Sequence, residues 1–454
     1  MRTYFLIIAL ILTGTQASAW GFWAHKRINR MAVFTLPPEM LGLYKRHIAY
    51  LTEKATAPDM RRYAVQGEAF RHYIDIDKWG EYPFADLPRN WNDIQEQYWE
   101  IWVMHEGDSL QLSGHDNVLV EKPLVKFFGE GIRRLTGEDT LLLNEYTFLG
   151  FRHKNYPYGS MYEPQMLEAD SLNRLFNISV EKAWLVDPFT EHGVLPYEFP
   201  RQVRRLAKAF EDMDLKQILR LSADIGHYVG DAHVPLHTTM NYNGQLTGQK
   251  GIHGFWESRI PELFAENYDY LVGKALPVPW PEELIWQAVL ESHGALDSVL
   301  NMEKKLSESF PEDKKYGYES RNNVVMRVYS REYSAAYSEM LNGMVERRMR
   351  RSIERLGAVW YSAWVKAGKP DLSPLYDTEI DDAPDQYEQK LKIIDREAQG
   401  FGFNRFFEGE PLQEVRSQKS EVKSMKGFAG LAFLSAVFFG AIILVREKKA
   451  DSKP

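Results

Sequence analysis

The 454-residue chain contains no cysteine, and this absence limits the chemistry available to it. Disulfide scaffolds, thiolate zinc fingers, iron–sulfur clusters and cysteine nucleophiles are excluded, so any metal must be held by histidine, carboxylate or backbone groups. Positive charge is also scarce: 55 lysines and arginines against 63 aspartates and glutamates give a formal net charge of −8. This balance disfavours a surface that coats nucleic acid without specificity. Apolar residues make up 44% of the chain, which is typical of a globular protein.

Long hydrophobic runs are missing from the middle of the sequence and occur only at its two ends. Residues 4–12 are apolar and the small residues at 17–19 are typical of a signal-peptidase site, so residues 1–19 are predicted to be a signal peptide. A second uncharged run is long enough, at about 1.5 Å per residue, to cross a roughly 30 Å hydrocarbon layer. We expect a charged stalk at 371–426, a transmembrane helix at 427–445 and a basic cytoplasmic tail at 446–454. The protein would then be exported and membrane-anchored, with its main domain on the non-cytoplasmic side.

The body of the chain, residues 20–370, shows mainly helical periodicity. Leu215, Ile218 and Leu219 begin an apolar stripe with steps of three and four residues, whereas strand-like alternation is scarce. Segments 106–117 and 146–197 are rich in glycine, proline, tyrosine and histidine, which is typical of long loops. The sequence therefore predicts an all-α fold, with one multi-helix domain that has long loops and is followed by the transmembrane helix.

Two pairs of a histidine and a carboxylate share a spacing of four residues. His227 and Asp231 form the first pair, and His253 and Glu257 form the second. Residues four apart on a helix lie on one face with Cβ atoms about 5–6 Å apart, so an imidazole and a carboxylate can share a cation. A single pair of this kind is most often a surface ion pair. Two such pairs with His237 between them favour a metal site.

The motifs around these residues resemble those of a known family. The segments 230–237 (GDAHVPLH) and 72–75 (HYID) are similar to motifs of the zinc-dependent phospholipase C and S1/P1 nuclease superfamily. Members of that family begin with a tryptophan that binds zinc through its own amino and carbonyl groups, and cleavage after residue 19 would place a tryptophan first. The order of the family's ligands is matched by Trp20, His25, Asp59, His72, His227, Asp231, His237, His253 and Glu257.

The resemblance implies the multi-helix fold of that family and three zinc ions. The first ion would be bound by Asp59, His72, His227 and Asp231. The second would be bound by His237, His253 and Glu257. The third would be bound by the amine and carbonyl of Trp20 together with His25, and Asp231 would bridge it to the first ion. In catalysis, Asp59 would orient or deprotonate a water that the zinc ions activate for attack on phosphorus.

Two enzymatic functions are compatible with this ligand set. Glu257 as the last ligand, the absence of cysteine and the acidic charge favour a phospholipase C that cleaves phospholipid head groups. The five-residue step from Trp20 to His25 favours a nuclease that cuts single-stranded DNA or RNA. A third interpretation is a membrane-tethered zinc-binding envelope protein without catalysis. The coordination positions that this ligand set leaves open for water disfavour it, because structural zinc sites are closed by four protein ligands.

Four residues beside the motifs have two interpretations each. Asp224 lies one helical turn before His227 and either hydrogen-bonds a ligand imidazole or is solvated. Tyr73 either stacks on a nucleic-acid base or packs against its neighbours, and Asp75 is equally ambiguous. His233 lies inside the motif at a position that is not a ligand in the family, so we expect it to support the ligands or to pack.

Overall fold

Helices form the framework of the protein in the computed structural model, which describes residues 21–380 apart from 63, 158, 322 and 323. Shorter turns of 3₁₀ type connect many of them. The helices of the described chain are α1 (Gly21–Ala32), α2 (Pro38–Arg46), α3 (Ile48–Glu53), α4 (Ala57–Arg61), α5 (Trp91–Tyr98), α6 (Glu130–Thr136), α7 (Glu145–Asn155), α8 (Ala169–Phe176), α9 (Leu195–Glu211), α10 (Leu215–Ala232), α11 (Ile252–Gly254), α12 (Ile260–Phe264), α13 (Pro281–Ser309), α14 (Glu312–Lys315), α15 (Arg331–Met340) and α16 (Met344–Lys366).

Helix α10 lies at the centre of the helical part of the protein. Its first turn is capped by Asp214, whose side chain accepts a hydrogen bond from the backbone N–H of Gln217. Every residue from position 221 to position 232 is buried, because α1, α9, α13 and α16 pack around this helix. Ile218 and Ile225 are fully buried in the surrounding core, and burying such side chains contributes about 1.5–3 kcal/mol each.

Nine strands form three antiparallel sheets within the described residues. The first sheet has the order β2-β1-β7-β6, the second has the order β3-β4-β5, and β8 and β9 form a hairpin. The strands are β1 (Glu100–His105), β2 (Asp108–Ser113), β3 (Val118–Glu121), β4 (Leu124–Phe128), β5 (Thr140–Asn144), β6 (Gln165–Leu167), β7 (Lys182–Val186), β8 (Tyr316–Arg321) and β9 (Val324–Tyr329).

The first two sheets enclose a hydrophobic core of their own. Ile101 and Val103 of β1 are fully buried while Glu100, Trp102 and Met104 are partly exposed, which is the alternation expected of a strand with one covered face. Phe127 of β4 packs edge-on against Phe148 and Phe176, and it has no exposed surface. This second core joins the two sheets and helices α6, α7 and α8 into one region, which we call the sheet region (residues 100–186).

The prediction of an all-α fold is wrong. Of the residues that the structure describes, 58% are helical and about 12% lie in strands, so this part of the chain is mixed α/β. The segments 106–117 and 146–197, predicted as loops, contain β2, β6 and β7 together with helical turns. These strands are only three to six residues long, and β1 pairs with β7 far along the chain. Their pairing therefore depends on tertiary contacts that local periodicity does not show.

The predicted localisation, an exported protein with a membrane anchor, is contradicted as well. Among the helices of residues 21–380, none has both the length and the hydrophobicity to cross a membrane. Helices α13 and α16 are long enough, with 29 and 23 residues, but charged residues occur along each of them. The predicted signal peptide, the segment 427–445 and the tail lie outside the described residues, as does most of the predicted stalk. We do not retain the anchor.

Candidate metal centre

Three groups of histidines and carboxylates lie where each could bind a metal ion. Within each group the potential ligand atoms are at most 4.8 Å apart. The first group is Asp59, His72 and His227; the second is His237, His253 and Glu257; the third is His25, His227 and Asp231. The structure thus brings together eight of the nine residues that the sequence predicted as ligands. The ninth, Trp20, lies outside the described residues.

Two glycines of α10 allow α1 to approach closely enough to place His25 in the cluster. A Cβ atom at Gly226 would lie 1.9 Å from Oδ1 of Asn29, and one at Gly230 would lie 2.8 Å from Nδ1 of His25. Asn29 cannot move aside freely, because its amide donates to two backbone carbonyls in the core. The close packing stacks the ring of His25 on that of His227, with their centroids 3.9 Å apart.

Asp231 is the centre of the cluster and is fully buried. Its Oδ2 lies 3.0 Å from Nδ1 of His72 and 3.2 Å from Nε2 of His227. Its Oδ1 lies 3.5 Å from Nε2 of His25 and 3.5 Å from Nδ1 of His237. One carboxylate therefore contacts histidines that belong to all three groups.

The spacing of the first group suits a small tetrahedral ion. Bonds of about 2.0–2.1 Å at tetrahedral angles place ligand atoms about 3.3 Å apart. Nδ1 of His72 is 3.0 Å from Nε2 of His227, and Oδ1 of Asp59 is 3.8 Å and 3.7 Å from these two atoms. Neither oxygen of Asp59 accepts a hydrogen bond from any described residue, although the side chain is buried. A cation held between these atoms would compensate the carboxylate, which is otherwise costly to bury.

The second group has similar spacing. Nε2 of His253 lies 3.2 Å from Nε2 of His237 and 3.1 Å from Oε1 of Glu257, and the other oxygen of Glu257 is 3.4 Å from His237. Glu257 lies in a single π-helical turn, Phe255–Arg259, between α11 and α12. Such turns occur frequently at functional sites because the wider turn redirects the side chains it carries.

Three of the histidines are oriented by the backbone. In each, Nδ1 is bonded to a carbonyl oxygen and Nε2 points into the cluster: His227 to Ala55 at 2.8 Å, His237 to His72 at 2.8 Å, and His253 to Tyr242 at 3.0 Å. A donated Nδ1–H fixes the tautomer that leaves Nε2 free to bind a metal. Metal-binding histidines in proteins are typically held in this way.

The pKa values of the cluster's carboxyl groups are set by two opposing effects, which are burial and close contact with histidines. Burial alone would raise the pKa of Asp231, but His227 and His237 hold it well below its usual range. Glu257 behaves in the same way, with His253 and His237 lowering its pKa to about 2. For His25, burial and the charge of His227 lower the pKa. The carboxylates are therefore ready to bind a cation, and metal binding would displace protons from the imidazoles.

Four neighbouring residues are occupied by contacts other than those of the cluster. Asp224 pairs with Arg61, Nδ1 of His192 lies 3.1 Å from Asp75, and Tyr73 donates to the carbonyl of Glu191. Nε2 of His233 accepts from Arg355, and its Nδ1 donates to the carbonyl of Val229. Burial and the charges of Arg348 and Arg355 lower the pKa of His233 well below its usual range, so it is neutral.

One buried carboxylate beside the cluster was not predicted from the sequence. Glu68 is 2% exposed and lies 4.0 Å from Nε2 of His72. The spacing of four residues between Glu68 and His72 was a possible signal, but Glu68 does not lie on a periodic helix and matches no motif. The backbone carbonyls that orient the histidines leave no trace in the sequence.

Comparisons of the chain with protein-family models, with curated proteins and with solved structures found no match. The chemistry of the centre is therefore inferred from its own residues. These residues are nitrogen and oxygen donors that can bind metal ions, and Asp231 connects them into one cluster.

Proposed function

We propose that the protein is a zinc-dependent phosphodiester hydrolase similar to phospholipase C. The observation that supports this most directly is the position of Asp231, whose carboxylate contacts histidines of all three metal-binding groups. Ions bound by groups connected in this way would be close neighbours. Clusters of neighbouring ions are typical of enzymes that hydrolyse phosphate esters.

The donor set is the reason for proposing zinc and for proposing catalysis. Imidazole and carboxylate groups are good zinc ligands, whereas calcium and magnesium prefer sites made of oxygen alone. His227 lies in two of the groups but offers Nε2 alone, because its Nδ1 donates to the carbonyl of Ala55, so it can bind only one ion. A structural zinc ion is normally closed by four protein ligands, but the eight described side chains are too few to close three ions in this way. This leaves coordination positions for water and substrate.

The protein's own residues divide the work around the ions. Zinc bound here would supply the positive charge that makes water nucleophilic near neutral pH and stabilises charge that develops on phosphate oxygens. Asp59 is the residue that we assign to orienting the attacking water and accepting its proton, because its oxygens accept no hydrogen bond from the described residues and Oδ1 lies 3.7 Å from Nε2 of His227. Asp231 contacts histidines of all three groups, and Glu257 would bind the ion of the second group.

A phospholipid head group is the substrate that we place first. The formal net charge of −8 gives no general attraction for a polyanion. A single phosphodiester needs only the local positive charge of the metal cluster. Single-stranded nucleic acid is the alternative substrate for the same centre.

The test is a parallel assay on the full chain. The purified protein is freed of metal, reloaded with zinc and offered phosphatidylcholine vesicles, single-stranded DNA and RNA, while its metal content is measured by mass spectrometry. We expect head-group release that depends on zinc and is lost in Asp59→Asn. Cleavage of DNA or RNA alone would identify a nuclease, and zinc binding without hydrolysis of any substrate would contradict the enzymatic proposal.

A further inference from the structure

A network of buried and partly buried polar side chains, four of them charged, lies directly behind the first metal-binding group. It connects the short helix α4, the turn that leads to His72, and the middle of α10. Its members, which we call the Arg61 network, are Arg61, Glu68, Arg71, Asp224 and Tyr228. The network contains two cationic and two anionic side chains, so its formal charges balance.

Arg61 connects α4 to α10 through an ion pair with Asp224. Its guanidinium makes two contacts with Asp224, at 3.0 Å from Nη1 to Oδ1 and at 2.9 Å from Nη2 to Oδ2. Both side chains are less than a tenth exposed. Paired contacts of this geometry fix orientation as well as distance. Asp59 lies two residues before Arg61 on the same five-residue helix. The position of Asp59 over the metal cluster therefore depends on where this pair holds α4.

Glu68 connects the segment that contains His72 to α10 and α4. It accepts hydrogen bonds from Arg71, at 2.9 Å, and from the hydroxyl of Tyr228 on α10, and Arg61 lies 3.6 Å away. Its Oε1 is 4.0 Å from Nε2 of His72, the nitrogen that faces away from the cluster. That nitrogen has no hydrogen-bond partner among the described residues. A closer approach of about 1 Å would bring the two atoms into hydrogen-bond range.

Packing alone does not explain these charges. Burying ionised side chains costs several kcal/mol each, and apolar residues would join the same elements without that cost. The network instead adjoins two members of the first group: Arg61 shares helix α4 with Asp59, and Glu68 lies 4.0 Å from His72. Carboxylates behind a metal-binding histidine orient its ring and increase its basicity.

We propose that the Arg61 network positions Asp59 and His72 for metal binding, through the Arg61–Asp224 pair and through Glu68 as the carboxylate behind His72. The proposal rests on the metal-binding part of the proposed function and gives Asp224 and Glu68 specific roles. Both are positioning residues, since neither lies within reach of the ion itself.

The test compares metal affinity at the first and second groups in full-length variants. Asp224→Asn and Glu68→Gln keep the size of each side chain and remove its charge, and Tyr228→Phe removes only the hydroxyl that bonds Glu68. The matched control is Arg152→Met in the sheet region, which breaks a buried arginine's 2.6 Å contact with Glu96, a pair that includes no candidate ligand. Zinc affinity is measured by competition with a chromogenic chelator, and cobalt absorption spectra report the geometry of each bound ion.

We expect Asp224→Asn and Glu68→Gln to lower the zinc affinity of the first group by about 10- to 100-fold and to change the absorption spectrum of cobalt bound there. Tyr228→Phe should have a smaller effect in the same direction. The ion of the second group should keep its affinity in all three variants, and Arg152→Met should leave both ions unchanged. Unchanged first-ion affinity and spectrum in Asp224→Asn and Glu68→Gln, with only a lower melting temperature, would overturn the proposal.

Two precautions keep the outcomes separate. If a charge-removing variant fails to fold, the milder Tyr228→Phe decides, because it leaves the packing of α10 intact. Lower zinc affinity of the first group in this variant supports the proposal, and unchanged affinity contradicts it. A wild-type protein that binds zinc but hydrolyses none of the offered substrates would refute the enzymatic function alone. Wild-type hydrolysis with variants that bind zinc normally would refute the positioning role alone.

Discussion

The helical part of the protein and the sheet region differ in what their buried residues do. Each has its own hydrophobic core, and Trp91 packs against both. All eight described candidate ligands belong to the helical part, and the sheet region contributes none of them. The helical part is also where buried charges concentrate, around Asp231 and Arg61. The sheet region therefore contributes to stability without contributing candidate ligands, and mutations can separate these two effects.

The largest effect should follow from Asp231→Asn. This substitution removes the negative charge that contacts all three groups, so we expect loss of bound metal and a fall in hydrolysis of about 10³-fold or more. Metal analysis and the hydrolysis assay check this. Asp212→Asn, at an exposed position after α9, is the control and should behave as wild type. A fully metal-loaded Asp231→Asn protein would show that the three groups do not depend on their shared carboxylate.

The His227–Asp231 pair could be predicted from the sequence because its contact is local, whereas the grouping of Asp59, His72 and His25 with this pair was implied only by the family resemblance. His227 and Asp231 are neighbours on one helix, so their spacing alone implies a shared face. The sheets depend on pairs such as Ile101 and Leu185, which lie far apart in the chain. The Arg61 network has the same character, since Arg61 and Asp224 are separated by 163 positions. Contacts of that range leave no periodic signal in a single sequence.

The second prediction concerns the core of the sheet region. Phe127→Ala removes a fully buried ring that contacts Phe148 and Phe176, so the free energy of unfolding should fall by about 3–5 kcal/mol. Urea unfolding measures the loss. Metal content at low temperature should stay normal, because no candidate ligand lies in this core. Leu142→Ala, on the exposed side of the same sheet, serves as the control. Loss of metal from a folded Phe127→Ala protein would break the separation between the two regions.

The third prediction divides the metal cluster itself. Glu257→Gln weakens only the group formed with His237 and His253, so we expect one ion fewer and hydrolysis reduced by about 10²-fold. The remaining ions should be retained. Glu262→Gln, an exposed position on α12, provides the comparison. Simultaneous loss of every ion would mean that the groups bind cooperatively rather than separately.

The smallest effect is a pH dependence at Asp187, which follows β7. Burial raises the pKa of this carboxyl even though Thr190, Met161 and Phe189 donate hydrogen bonds to it. The folded protein therefore holds the proton more tightly than the unfolded chain. This stabilisation is complete below the unfolded pKa, about 3.9, and is lost as the pH rises through the folded value.

Urea titrations at several pH values test this sign. The free energy of unfolding of the wild type, relative to Asp187→Ala, should decrease as the pH rises above about 4, by no more than about 1.4 kcal/mol per pH unit. Asp86→Ala, at an exposed position, should show no such trend. Parallel profiles for wild type and Asp187→Ala would contradict the raised pKa.

Three histidines of the centre are oriented by hydrogen bonds from Nδ1 to backbone carbonyls, and these bonds do not depend on the side chain of the acceptor residue. The acceptors for His227, His237 and His253 are carbonyl oxygens, which every amino acid possesses. Replacing Ala55 or Tyr242 alters a side chain but does not delete the acceptor. In a random-mutagenesis screen, losses should therefore cluster at the imidazoles themselves. Tyr242 should accept substitutions wherever the backbone path is kept, whereas Ala55, which is fully buried, should accept only residues of similar size.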